Sequence, residues 1–148
     1  MIGEILFFLI VLFLLFTVYM SLFAHQTKTI SYLTKNGNTG KIDLEVSDDA
    51  LKITYGLMFR FYLPSKNGMI FIFNKSDLYS FWMLNTFIPL EAIYLDEEGI
   101  VVDIIKLEPF QNSFLKTYTP KQKSKYVIEV NSGYSHINGI DIGTKFTL

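Results

Sequence analysis

Four side chains have the chemistry for a ligand cleft: Arg60, Trp82, Asn85 and Glu91. Arg60 is the chain's only arginine, and a guanidinium can grip a carboxylate or phosphate with two parallel bonds. The plainer reading, a tie to an internal acid or a stack on an aromatic ring, is preferred. Trp82 and Asn85 stand at the end of an aromatic segment, where side chains can line a cleft. Asn85 also suits a turn before Pro89, with its amide bonding the backbone, and that role is preferred. Glu91 and Asp96 lie five positions apart on one expected strand, so alternation sends them to opposite faces and makes a poor acid–base pair. Asp96, Glu97 and Glu98 read as a solvated acidic turn rather than a cation site. His136 has no Gly-x-Ser-x-Gly elbow or other motif to orient it, so no catalytic residue is assigned.

Composition narrows the function classes further. There is no cysteine among the 148 residues, which removes disulfides, thiolate metal sites and a thiol nucleophile. Two histidines, His25 and His136, are too few for a zinc site without cysteine, so no metal and no cofactor are expected. All 13 Lys and Arg follow residue 24, together with every acid except Glu4, so that part of the chain is formally neutral. A neutral domain with one arginine is a poor nucleic-acid binder. Lys116, Lys121, Lys123 and Lys125 decorate one loop and could meet anionic headgroups.

The elements that must position these residues follow from periodicity. Ile42 to Val46 alternates apolar and acidic residues as a half-buried strand. Ser47 is expected to cap a short helix carrying Ala50, Ile53 and Leu57 on one face. Met69 to Phe73 is continuously apolar and predicts a central strand, and Tyr79 to Leu84 a second, aromatic one. Leu90 to Leu95 and Ile100 to Leu107 flank Asp96-Glu97-Glu98-Gly99, the clearest hairpin signal. Glu108 to Lys125 reads as a long loop, Tyr126 to Val130 as a strand, Tyr134 to Asn138 as one helical turn, and Lys145 to Leu148 as the closing strand. Gly37-Asn38-Thr39-Gly40-Lys41 is too short for a phosphate loop and reads as a turn. The fold class is α+β, mostly antiparallel, a small barrel or sandwich with one or two short helices.

Ile5 to Ala24 holds twenty residues without a charge. The run is longer than a signal-peptide core, lacks a basic flank and predicts a single transmembrane helix about 30 Å long. The expected organisation is an anchor over 1–24, a polar tether over 25–41 and a globular domain over 42–148. Lys28, Lys35 and Lys41 after the helix favour a cytoplasmic domain.

Gly56-Leu57-Met58-Phe59-Arg60, Gly68 to Phe73 and the block Ser80-Phe81-Trp82-Met83-Leu84-Asn85-Thr86 resemble domain of unknown function family 192, also called uncharacterised protein family 0127. The resemblance continues through Ile88-Pro89-Leu90, Asp96 with Gly99, Tyr126 with Glu129-Val130-Asn131 and Gly133, and Gly139-Ile140 with Gly143. It implies a small β-rich fold, often behind a signal or anchor in prokaryotes, and no established activity. Leu84 stands where the family usually has Lys, Glu91 where Asp is common, and Thr144 where Asp often follows the glycine. A Lys–Asp polar site in relatives would therefore lose half its charge here. The family's habit places the domain outside the cytoplasm, against the charge rule, and the exterior is taken.

These features converge on a membrane-tethered, non-catalytic binding or accessory module. Its partners would be the bilayer, through Ile5 to Ala24, and a membrane or envelope protein. The alternatives are a hydrolase of unrecognised class using His136 or a carboxylate, and a structural subunit of a membrane complex.

Overall fold

Alternating apolar positions give this chain strands with two buried faces, and the sheet they form is covered on both. The structure, a computed structural model, describes residues 2–22, 26–109 and 116–148. The elements run α1 (Ile2–Leu22), β1 (Thr27–Leu33), β2 (Thr39–Ser47), α2 (Ala50–Tyr55), β3 (Asn67–Asp77), β4 (Phe81–Trp82), β5 (Leu90–Leu95), β6 (Val101–Leu107), β7 (Thr117–Tyr118), β8 (Ser124–Asn131), α3 (Tyr134–Asn138) and β9 (Lys145–Thr147). Seven strands form one sheet in the order β6-β5-β8-β3-β2-β1-β9, and β4 and β7 pair separately. Every neighbouring pair is antiparallel except β2 with β3. The α2 crossover between them permits the parallel pairing.

The two edges of the sheet meet. Ile100 bridges Lys145, the Phe146 amide donates to the Gly99 carbonyl at 2.8 Å, and the Val101 amide donates to the Thr144 carbonyl at 2.9 Å. Of the expected barrel and sandwich, the sheet is thus closed into the barrel. One buried cluster fills its interior, including Ile30, Ile42, Leu44, Ile70, Ile93, Ile128 and Phe146. The alternate residues of the same strands, among them Met69, Phe71, Ala92, Tyr94 and Val127, face outward into a second cluster. That cluster is roofed by the segment from α2 to Leu63 and by Phe81 and Met83. The candidate site lies in this outer layer.

The transmembrane anchor is not borne out. Among the described residues no helix is long and apolar enough to cross a membrane. The expected span over 5–24 is described as helix as far as Leu22, within α1. Its last expected residues, Phe23 and Ala24, lie outside the described residues, as does His25. A single-pass protein with an extracytoplasmic domain therefore loses its basis. Most of the side chains from Ile2 to Val18 are exposed.

The polar tether over 25–41 is also corrected, because residues 27–33 form β1. This strand pairs along its whole length with β2, and Ile30 and Tyr32 are buried in the barrel. Only two of seven side chains point inward, which left the segment polar in composition. Asp49, not Ser47, caps α2 by accepting the Lys52 amide at 2.9 Å. Ser47 is fully buried at the end of β2. The expected strand from Tyr79 to Leu84 shrinks to Phe81–Trp82, since Asn85 takes a left-handed φ of 52° and turns the chain. Part of the long loop, residues 110–115, lies outside the described residues, and β7 occupies its middle.

Candidate functional site

Glu129 is the most unusual side chain in the outer layer. It sits on β8 between Met69 of β3 and Ala92 of β5, and it is 4% exposed. Alternation points it away from the barrel interior that Ile128 and Val130 fill, into the layer under α2. No hydrogen bond or ion pair joins its carboxyl among the described residues. Loss of hydration alone pushes its pKa up to about 8, from an ordinary value near 4.5. Its neutral, protonated form predominates at pH 7.

A cavity of about 220 Å³ opens over this carboxyl. One wall is the end of α2 and the turn after it, from Ile53 to Met58, and Phe71 and Phe73 of β3 form another wall. Tyr79, Ser80, Phe81, Trp82 and Thr86 complete the lining. The aromatic walls brace one another: Phe71 and Phe81 meet edge to face at 4.9 Å, and Phe73 stacks on Tyr79 at 3.5 Å. Gly56 ends α2 at a φ of 50°, where a side chain would be strained. A Cβ there would lie 3.4 Å from the Phe71 ring and 3.9 Å from a Glu129 oxygen, so the glycine keeps that part of the cavity open.

The four expected cleft residues do not gather. Trp82 lines this cavity, and Arg60, Asn85 and Glu91 are not among its lining residues. Both terminal nitrogens of Arg60 bond the two oxygens of Glu45, at 2.6 and 2.5 Å, tying the segment after α2 to β2. Asn85 serves the turn through its backbone, its carbonyl accepting the Phe59 amide at 2.8 Å. Glu91 faces the barrel interior, where its carboxylate accepts the amides of Gly133 at 3.0 Å and Ser135 at 2.5 Å. That is an anchor for α3. His136 is exposed on α3, and Asp96 holds the hairpin by accepting the amides of Glu98 and Ile100. Among the described residues no group of three or more His, Cys, Asp or Glu could hold a metal ion.

Sequence reasoning passed over Glu129. Its signal was present: one acid within Tyr126-Val127-Ile128-Glu129-Val130, a strand otherwise apolar on both faces.

The model of the DUF192 family, described as Uncharacterized ACR, matches residues 31–148. The chain belongs to this family. A UPF0127 protein of Pyrococcus abyssi is 32% identical over 112 residues, covering 72% of this chain and 84% of the relative. A Novosphingobium aromaticivorans protein of unknown function is similar in structure, with a TM-score of 0.76, 28% identity, and coverage of 84% of this chain and 86% of that one. A Sinorhizobium meliloti protein described as a candidate transcription regulator gives a TM-score of 0.78 at 23% identity, covering 84% and 95%. At that identity the likeness speaks for the fold alone. The DUF192 match begins inside β1, in agreement with β1 being part of the barrel rather than a tether.

Proposed function

We propose that this DUF192 member is a non-catalytic binding module whose small-molecule ligand enters the aromatic cavity over Glu129. The observation that carries the reading is the cavity itself: about 220 Å³, walled by braced aromatic rings and floored by one buried carboxyl that has no partner among the described residues. Concave apolar sites with a few convergent polar groups are the usual form of small-ligand pockets. Keeping a carboxyl in such a place opposes folding, which argues for a use outside stability. A hydrolytic reading is less well supported. Glycosidase-type chemistry needs two carboxyl groups, and among the described residues Glu129 is the only one in the lining. A regulator's role on nucleic acid finds little support, since the sole arginine is committed to Glu45.

Trp82 is the chain's only tryptophan and lines the cavity, so its emission reports on occupancy. Titration with benzyl alcohol, 3,3-dimethylbutan-1-ol and choline is expected to give a saturable change in emission for at least one probe. Amide shift perturbations should then concentrate at 54–58, 71–73 and 79–82. A flat response to all three, in folded protein, would sink the reading.

A further inference from the structure

We infer that the cavity selects a cationic alkylammonium head, with Glu129 as its counter-charge and the surrounding rings as its cage. The inference rests on the cavity being a ligand site, and it names the class of ligand. Its basis is an imbalance of groups. Tyr55, Phe71, Phe73, Tyr79, Phe81 and Trp82 supply six rings around one carboxyl. Aromatic rings attract an ammonium through their quadrupoles, most strongly when water is excluded. A carboxylate adds the full opposite charge. The chain supplies no cation of its own to this place: no Lys, Arg or His lines the cavity among the described residues. Of the cations near the lining in sequence, Lys52 pairs with Asp48 and Asp49, Arg60 with Glu45 and Lys75 with Asp77, and Lys125, at the other end of β8, does not line the cavity. An incoming cation is therefore the partner that the buried carboxyl lacks.

An anionic ligand would meet Glu129 with like charge as soon as the carboxyl ionised. A neutral ligand would gain the rings but leave the carboxyl's charged form without a partner. Only a cation uses both parts of the site, and a head group without N–H bonds would be caged by the rings and balanced by the carboxylate.

The same arrangement couples binding to protons. In the empty cavity Glu129 carries its proton up to about pH 8. A fixed cation favours the ionised form, so binding below that pH expels a proton. The groups that face Glu129 do not blur this window. Tyr94 on β5 and Tyr79 beyond β3 are both held above the ordinary tyrosine value, chiefly by burial. Asp103 of β6 acts on Tyr94. Tyr55 on α2 is the remaining titratable group in the lining.

The test compares choline, whose charge is fixed, with 3,3-dimethylbutan-1-ol, its neutral isostere, by Trp82 emission on the full chain. At pH 8 choline is expected to bind about tenfold tighter than the alcohol. Between about pH 6 and pH 8 its affinity should rise roughly tenfold per pH unit and then level, while the alcohol stays flat. Glu129→Gln should bind the two probes alike and lose the pH dependence. If that variant does not fold, the wild-type pair decides alone. Equal affinities, or a flat choline profile, overturn the ammonium inference and leave the cavity as a ligand site. No binding of either probe at any pH overturns the inference, and no response to benzyl alcohol as well removes the site.

Discussion

At the scale of single residues, Glu129 has a consequence for stability that needs no ligand. Its folded pKa is about 8 against an ordinary 4.5, so between those values the native protein holds a proton that the unfolded chain has lost. Unfolding then releases a proton, and stability falls as pH rises through that window, by roughly 1 kcal/mol per unit from this group. Below the unfolded value the penalty is absent. Urea denaturation from about pH 5 to pH 8 should show the downward slope, and Glu129→Gln should remove most of it. A wild-type profile with no more slope than the variant's would mean that the carboxyl is not desolvated in solution. The residue could be found in the sequence as a lone acid in an apolar strand. Its meaning could not, because periodicity does not reveal what covers a face. Arg60, by contrast, was legible in kind: a tie to an internal acid was the preferred reading, and Glu45 is that acid.

Elements were legible where local chemistry sets them. The Leu90–Leu95 strand and the turn at Asp96-Glu97-Glu98-Gly99 stand where alternation and turn residues put them, with β6 starting at Val101. Elements set by distant partners were missed, as with β1, whose polar face hides a strand that β2 and β9 require. The segment that roofs the outer cluster belongs to this second kind. The Gly56 to Leu63 segment has little regular structure, carries Phe59 at a φ of 61°, and is fastened to β2 by the Arg60–Glu45 pair. Both side chains are about a quarter exposed, and the geometry is bidentate, so their coupling should exceed that of an ordinary surface pair. A double-mutant cycle of Arg60→Ala and Glu45→Ala is expected to give about 1 kcal/mol of coupling. Arg60→Lys should recover less than half of it, because an ammonium cannot reproduce the fork. Strict additivity of the two alanine variants would show that the pair does not hold the roof.

For the whole molecule, the α+β class with mostly antiparallel strands could be read from the chain, and the choice between barrel and sandwich could not. Closure depends on residues 99–101 meeting 143–146, a contact across more than forty positions that leaves no periodic trace. Nor did an apolar N-terminal run settle a membrane span. Gly99 is where closure can be tested. It sits at a φ of 79°, and a Cβ there would approach the Phe146 backbone carbonyl to 2.7 Å. Backbone cannot yield as a flexible side chain would, so Gly99→Ala must both strain its own turn and push β9 away from β6. The expected loss is about 3 kcal/mol, larger than a left-handed alanine alone would cost. The loss should be local in its first effects. The amides of Phe146 and Val101, which donate across the closure, should lose hydrogen-exchange protection before that of Ile93 on the far side of the hairpin. A loss under about 1 kcal/mol with protection at Phe146 unchanged would mean that the edges meet without holding each other. In that case the interior cluster, and not the closing bonds, would be what keeps the barrel shut.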